Sequence, residues 1–510
     1  MRKGKKLLSI TISIFMVASL MTACKSGTKE GSDKTQDTSS TKISKVKYVT
    51  PGNTFPDQDA VLAEVNKKLK TDGVNVEVSF TRIPWDGYQQ KINLMLSSGE
   101  EFDLMHVMQD IINVSSLSSM DAIIPIDDYI KKYPDLVNKF TANQWDQGKL
   151  NGKTYAVPAN WQEFSMLNGY LTYRDDVLKK VTDKVPTTFD EFFDVAVKMQ
   201  KEIKTETGKT AYHWLHQVSD SPGWLHRTYP EFPFYVDKSN ELTLIKQDET
   251  VESYFESDIF KKDAEAYRKM YKAGLIDPDV LNATSQKKYD ALKIGVALPS
   301  QTFSYDDEKS LKENIPNASL LVSYLAPEKP YLQYISIQNL NAVSATSKNP
   351  EAPIKLLDWL YKSKENHDLF IYGIEGKNYK ASAPNRIDSI KGEDKNPLYA
   401  FDTWMIGYLP YMRFDETLTQ KGLDFKTKAA PADKLVMSPV VGFIFDAADL
   451  KTELANLQAE VISSFYPIKY GLVDYDKAYP AAIKKLKAAG IDKYITEYQK
   501  QLKAFNASKK

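Results

Sequence analysis

The chain has 510 residues, with 67 Lys and Arg against 67 Asp and Glu, and a single cysteine. Balanced charge leaves no basic surplus to hold nucleic acid, and one cysteine excludes an internal disulfide and a Cys-rich metal site. Such a length suits two or three domains, each large enough to be stable without cross-links. Its 30 Tyr, 22 Phe and 7 Trp supply ring surface in quantity.

Arg2, Lys3, Lys5 and Lys6 precede an apolar run over 7–20, the pattern of an export signal. The run closes in Leu20-Met21-Thr22-Ala23-Cys24. Small residues before a lone cysteine resemble the lipobox of bacterial lipoproteins, with Met21 where that family usually carries Leu. The resemblance implies a signal peptide over 1–23, lipidation of Cys24 and attachment to the extracellular face of the cell membrane. An ordinary cleaved signal, or an uncleaved anchor helix, is the alternative. No later apolar run approaches the ~20 residues that a membrane span needs. Residues 25–42 carry no apolar side chain larger than that of Thr, so 24–43 reads as the lipidated cysteine with a flexible tether. As a coil that tether spans on the order of 20–25 Å.

The first folded element is an alternating strand over 46–50, closed by Pro51-Gly52-Asn53. Apolar residues at 61, 62, 65 and 69 predict a helix. Strict alternation over 74–80 predicts a strand, and 89–98 a helix that Gly99 ends. A mostly apolar strand follows over 102–107. Strand, helix, strand, helix, strand argues for an α/β lobe with a largely parallel sheet. Asn151-Gly152 marks a turn into a short strand that Pro158 stops. Thr188 with Glu191 has capping-box spacing and opens a helix to about residue 203. A helix over 260–273 meets Gly274, 293–298 and 334–343 read as extended, and Asn349-Pro350-Glu351 opens another helix. The last hundred or so residues are rich in helix signals.

Several of these pieces, in this order, resemble the extracellular solute-binding proteins of ATP-driven (ABC) importers. The matching stretches are Ser98-Gly99-Glu100-Glu101-Phe102-Asp103-Leu104, Asn151-Gly152-Lys153-Thr154-Tyr155-Ala156-Val157-Pro158, Tyr271-Lys272-Ala273-Gly274-Leu275-Ile276 and Ser347-Lys348-Asn349-Pro350-Glu351. Tyr372-Gly373-Ile374-Glu375-Gly376-Lys377, Gly442-Phe443-Ile444-Phe445-Asp446 and Tyr470-Gly471-Leu472-Val473-Asp474 are similar to a Gram-positive lipoprotein subgroup with an extra C-terminal domain. That subgroup usually has His where Asn378 stands. The resemblance implies an α/β, two-lobe periplasmic-binding-protein-like fold with a hinge cleft, plus a helix-rich C-terminal extension. The lobes would be 44–158 with 334–380, and 159–333 with 381–440, followed by the C-terminal region 441–510. Crossings would fall near 157–161, near 333–339 and somewhere after 379. The implied function is capture of an extracellular oligosaccharide for delivery to an ABC permease, without catalysis, cofactor or metal.

Ligands of open α/β sheets sit beyond the carboxyl ends of the strands. Residues just after the predicted strands are therefore the ligand candidates: Asn53, Asp110, Asn160, Trp161, Gln301 and Phe303. A sugar needs rings under its C–H face and planar polar side chains for its hydroxyl pairs. Trp161, beside a chain break and among polar neighbours, is the first choice. Trp85, Trp224 and Trp404 are further loop tryptophans, whereas Trp359 lies on an apolar helix face and reads as core, as do the remaining aromatics. His213, His216 and His226 with Asp220 lack the spacing of a helical zinc site. Glu100-Glu101 and Asp127-Asp128 are adjacent acids that point apart, unlike a glycosidase pair. The rival readings are a peptide or other polar solute as ligand, a secreted carbohydrate-active enzyme, and a surface adhesin or co-receptor.

Overall fold

The computed structural model describes residues 43–109, 111–214 and 222–509. The signal, Cys24 and the tether lie outside them. From residue 43 onward the chain forms one compact unit.

Strand β1 (Ser44–Pro51) pairs in parallel with β2 (Val76–Ile83) across eight positions, Tyr48 opposite Phe80. Helix α1 (Gln58–Thr71) connects them, burying Val61, Val65 and Leu69 at helical spacing. Helix α2 (Tyr88–Ser98) stops at Gly99, whose φ of 66° supplies the left-handed residue that ends a helix. It leads to the fully buried β3 (Leu104–Met108), parallel to β1 on its other side. Asn151 and Gly152, both at positive φ, then turn a tight hairpin before β4 (Ala156–Ala159).

The chain now enters the second lobe. Here β5 (Tyr170–Arg174) begins the lobe, and helices α3 (Phe189–Thr207), α4 (Asp258–Lys272) and α5 (Ser285–Lys293) follow. The capping box at the start of α3 forms in full, Thr188 and Glu191 each holding the other's backbone N–H. The strand expected over 293–298 does not form. Helix α5 runs into it, Gly295 turns the chain at φ 73°, and only single bridges at Ala297 and Ser300 remain. A Cβ on Gly295 would meet Arg174 Nη1 at 2.5 Å, and that guanidinium donates to the Gly295 carbonyl at 3.0 Å. Strand β6 (Leu320–Tyr324) pairs antiparallel with β5.

Returning to the first lobe, β7 (Asn339–Val343) inserts antiparallel between β3 and β4, giving the order β2-β1-β3-β7-β4. The extended run expected from 334 begins only at Asn339; Tyr334 stacks on Tyr235, ring centroids 4.7 Å apart. Helix α6 (Glu351–Lys362) covers β1 and β2, and Trp359 is indeed core, its indole N–H bonded to Asp72 at 2.8 Å. One expected boundary needs correction. Tyr399, Phe401, Met405 and Ile406 pack in the first lobe's core against Tyr48 and Phe80, so the first lobe holds the chain well beyond residue 380.

Helices α7 (Lys451–Glu460), α8 (Tyr475–Ala488) and α9 (Ile491–Ser508) form the C-terminal region. Leu457, Leu486, Ile491 and Leu502 share one core with Tyr254, Phe255 and Phe260 of the second lobe. An ion pair between Lys469 and Glu241, both fully buried and 2.6 Å apart, joins the same surfaces.

Candidate ligand-binding cleft

The lobes are joined by two pairs of crossing segments. The Asn160 carbonyl accepts from the Leu409 N–H at 2.5 Å, and the two segments run parallel there. Tyr331–Gln333 likewise pairs in parallel with Leu435–Met437. Each pair is a short, narrow ribbon, and such segments are where a few residues absorb the backbone rotation of a hinge.

Between the lobes lies a cavity of about 1070 Å³. Its walls come from the residues that follow β3 and β4, the loop over 301–307, the crossing at 334–338 and the C-terminal region. Trp161 lines it from the first crossing, with the Lys426 ammonium 5.0 Å from its ring and Phe164 edge-on at 6.2 Å. Tyr235 and Tyr334 add a parallel stacked pair, with Lys238 4.8 Å from the Tyr334 ring. Planar amides stand among the rings, notably Gln109, Gln162, Gln301 and Gln338. The lining acids Asp237, Asp306 and Asp307 are matched by Lys238, Lys426 and Lys451, and Lys426 bonds Asp306 at 2.7 Å. Burial pushes the Asp307 carboxyl up to about 6, against a 2.8 Å bond from the Ser304 N–H that favours its charged form. The surface is rich in rings and neutral hydrogen-bonding groups, with no surplus of either charge. It can hold an uncharged polar molecule by stacking and amide bonds. Among the described residues no group of His, Cys, Asp or Glu could hold a metal ion.

Residues 53–367 match the family model of bacterial extracellular solute-binding proteins, and 439–507 match a domain of unknown function (DUF3502). The chain belongs to the bacterial extracellular solute-binding proteins. It is therefore a binding protein and not an enzyme. A carbohydrate ABC transporter substrate-binding protein of Streptococcus pneumoniae is 26% identical over the whole of both chains. Lipoprotein LipO of Bacillus subtilis is 20% identical over 78% of each. Among solved structures, the N-glycan transport solute binding protein NgtS of S. pneumoniae superposes with a TM-score of 0.70, at 22% identity, covering 92% of this chain and all of that one. Structures of NgtS with Man1GlcNAc and with Man5GlcNAc give 0.64 and 0.62. These likenesses show the same two-lobe fold.

Of the residues singled out in the sequence of this solute-binding protein, Trp161 and Gln301 line the cavity. Asp110 and Cys24 lie outside the described residues. Trp224 does not reach the cleft: it is fully buried, its ring 4.7 Å from Phe192 and 5.1 Å from His213. Phe303 is also buried, in a small cluster with Trp214, Leu292 and Ala297. Asn160 serves the hinge through its carbonyl, and Asn53 is exposed beyond β1; neither lines the cavity. Trp85 and Trp404 stand together, rings 5.8 Å apart, with His106 edge-on to Trp404 at 5.0 Å. They form a separate aromatic surface at the first lobe, outside the cavity. His213 is a core residue bonded to the Pro299 carbonyl at 2.6 Å, and His226 bonds Asp263 at 2.8 Å.

The expectation that the other aromatics are packing fails for several half-buried rings that line the cavity, Tyr170, Tyr235, Tyr289, Tyr334, Phe425, Phe443 and Phe445 among them. Tyr334 carried a usable signal, since it stands in an expected crossing. Tyr235 carried none, because the second lobe's Phe234–Val236 strand looks like any buried hairpin strand.

Proposed function

We propose that this protein captures a neutral oligosaccharide outside the cell and delivers it to an ABC permease while tethered to the membrane through a lipidated Cys24. The observation that carries the reading is the cavity itself. A space of about 1070 Å³ exceeds the pocket of a single sugar unit, and its walls alternate rings with planar amides under balanced charge. A peptide site would instead offer paired charges for the termini or an open strand edge. The reading is supported by the carbohydrate transporter protein of S. pneumoniae and by NgtS, an N-glycan transport solute binding protein solved in complex with Man5GlcNAc. LipO, named a lipoprotein, supports the tether.

Ligand capture would proceed by rotation about the two crossing ribbons. The closed state is favoured because only there does one ligand touch both lobes at once. The protein then presents a filled, compact form to the permease.

The test is a thermal-shift and calorimetric titration of the mature protein with neutral glycans from disaccharides upward, Man1GlcNAc and Man5GlcNAc among them. A ligand that binds only the folded state raises the midpoint, by an amount that grows with the ratio of ligand to Kd. Saturable binding of at least one glycan is expected. Binding of a peptide or another solute class, with every glycan silent, would contradict the sugar assignment.

A further inference from the structure

Residues 439–507 match a domain without an assigned role, and part of its surface lines the interlobe cavity. Lys451, Leu454 and Gln458 fall at i, i+3 and i+7 of α7, on one side of the helix, and all three line the interlobe cavity. Leu457, a step further round, is fully buried in the second lobe's core. The helix therefore serves two surfaces, packing with one and walling the cleft with the other.

The segment leading into α7 adds rings to this wall. Phe443 and Phe445 are half-buried cavity residues, and Tyr498 backs both, at 5.2 Å edge-on and 4.9 Å stacked. Tyr494 closes on Phe445 at 5.0 Å, and its hydroxyl accepts from the Asn240 amide at 2.9 Å, which ties the ring group to the second lobe. The same segment also reaches the first lobe. Asn151 donates to Asp446 at 3.2 Å, and Lys509 lies 3.5 Å from Asp146.

We propose that the C-terminal region is a third wall of the binding site, holding the far end of long oligosaccharides on Phe445 and Gln458 and thereby setting the preferred ligand length. This rests on the oligosaccharide reading above. Stacking on a half-exposed ring and a hydrogen bond from an exposed amide are the same chemistry that Trp161 and Gln301 offer elsewhere on the cavity wall. On this proposal a short glycan is held by the other cavity residues and gains little from this wall.

The experiment is calorimetric titration of the mature protein and of Gln458→Ala, Lys451→Ala and Phe445→Leu with Man1GlcNAc, Man5GlcNAc and any other short and long pair that binds. Gln458 and Lys451 are exposed, so their removal leaves the fold intact, and Phe445→Leu keeps apolar bulk while removing the ring. Thermal midpoints check that each variant is folded. Each change at 445 or 458 is expected to weaken the long glycan about 10-fold and the short one less than about 2-fold. Unchanged affinity for the long glycan, or an equal loss for both, overturns the inference and leaves the oligosaccharide reading standing. A wild type that prefers short glycans overturns it as well. If the wild type binds no glycan, both fall together.

Discussion

Trp161 and Trp224 carry the same side chain beside similar polar, loop-forming neighbours, yet one lines the cavity and the other is sealed in the second lobe. The difference lies in what surrounds each in space. Trp161 sits where two crossings meet, whereas Phe192 of α3 folds over Trp224. Trp161→Ala should therefore weaken ligand binding by about 10-fold or more, as loss of a ring anchor does, with a small effect on the thermal midpoint. Trp224→Ala should cost about 3–5 kcal/mol of stability, read by chemical denaturation, because it empties a fully buried site. The reverse pattern would exchange the two assignments. Local sequence could nominate loop tryptophans, but it could not say which loops a helix would cover. Histidine adds a pH dependence. Burial lowers the imidazoles of His106 and His213 from 6.5 to about 4, so the folded state holds them neutral. The unfolded chain takes up those protons first, so stability is fully present above about 6.5 and is lost as pH falls toward 4. The loss is on the order of 3 kcal/mol per group. His213→Gln should flatten the fall of unfolding free energy across that window. Curves parallel to wild type would mean that His213 takes no part.

At the scale of elements, most of the first lobe was legible because its signals are local. Alternation gave β1 and β2, helical spacing gave α1, and Gly99 gave the end of α2. The second lobe was harder. Residues 293–298 alternate like a strand, but Gly295 is needed where the backbone presses against Arg174, a long-range contact with no local trace. The return of Tyr399, Phe401 and Ile406 to the first lobe is equally non-local, since Tyr48 and Phe80 against which Phe401 packs lie more than three hundred residues away. The crossings depend on one such close approach. A Cβ on Gly407 would meet the Thr403 carbonyl at 2.5 Å and the Trp161 Cβ at 2.9 Å. Gly407→Ala should destabilise the protein by about 1–3 kcal/mol through that overlap and also weaken ligand affinity, because it displaces both Trp161 and the ribbon. Loss of stability with unchanged affinity would show that the ribbon's geometry at 407 does not shape the site.

For the whole molecule, the proposed roles of the two ends depend on each other. A diacylated Cys24 would supply two acyl chains, enough for lasting attachment where one gives marginal binding. A tether of that short span would then hold the cleft at high effective concentration near a permease. Cys24→Ser is expected to release the protein into the medium with its ligand binding intact, read by fractionation of expressing cells. Retention at the membrane would contradict lipidation at that residue. The sequence suggests this arrangement because export signals and family motifs are read along the chain, but residues 1–42 lie outside the described residues. It could not show that Lys451, Leu454 and Gln458 of the C-terminal region face the ligand space, since that depends on how α7 is turned against the second lobe. Closure of the two lobes about the paired crossings around a sugar chain is to be read by small-angle X-ray scattering of the mature protein, with and without a saturating glycan. The radius of gyration should fall in proportion to occupancy and return when the glycan is removed; an unchanged radius at full occupancy would contradict closure.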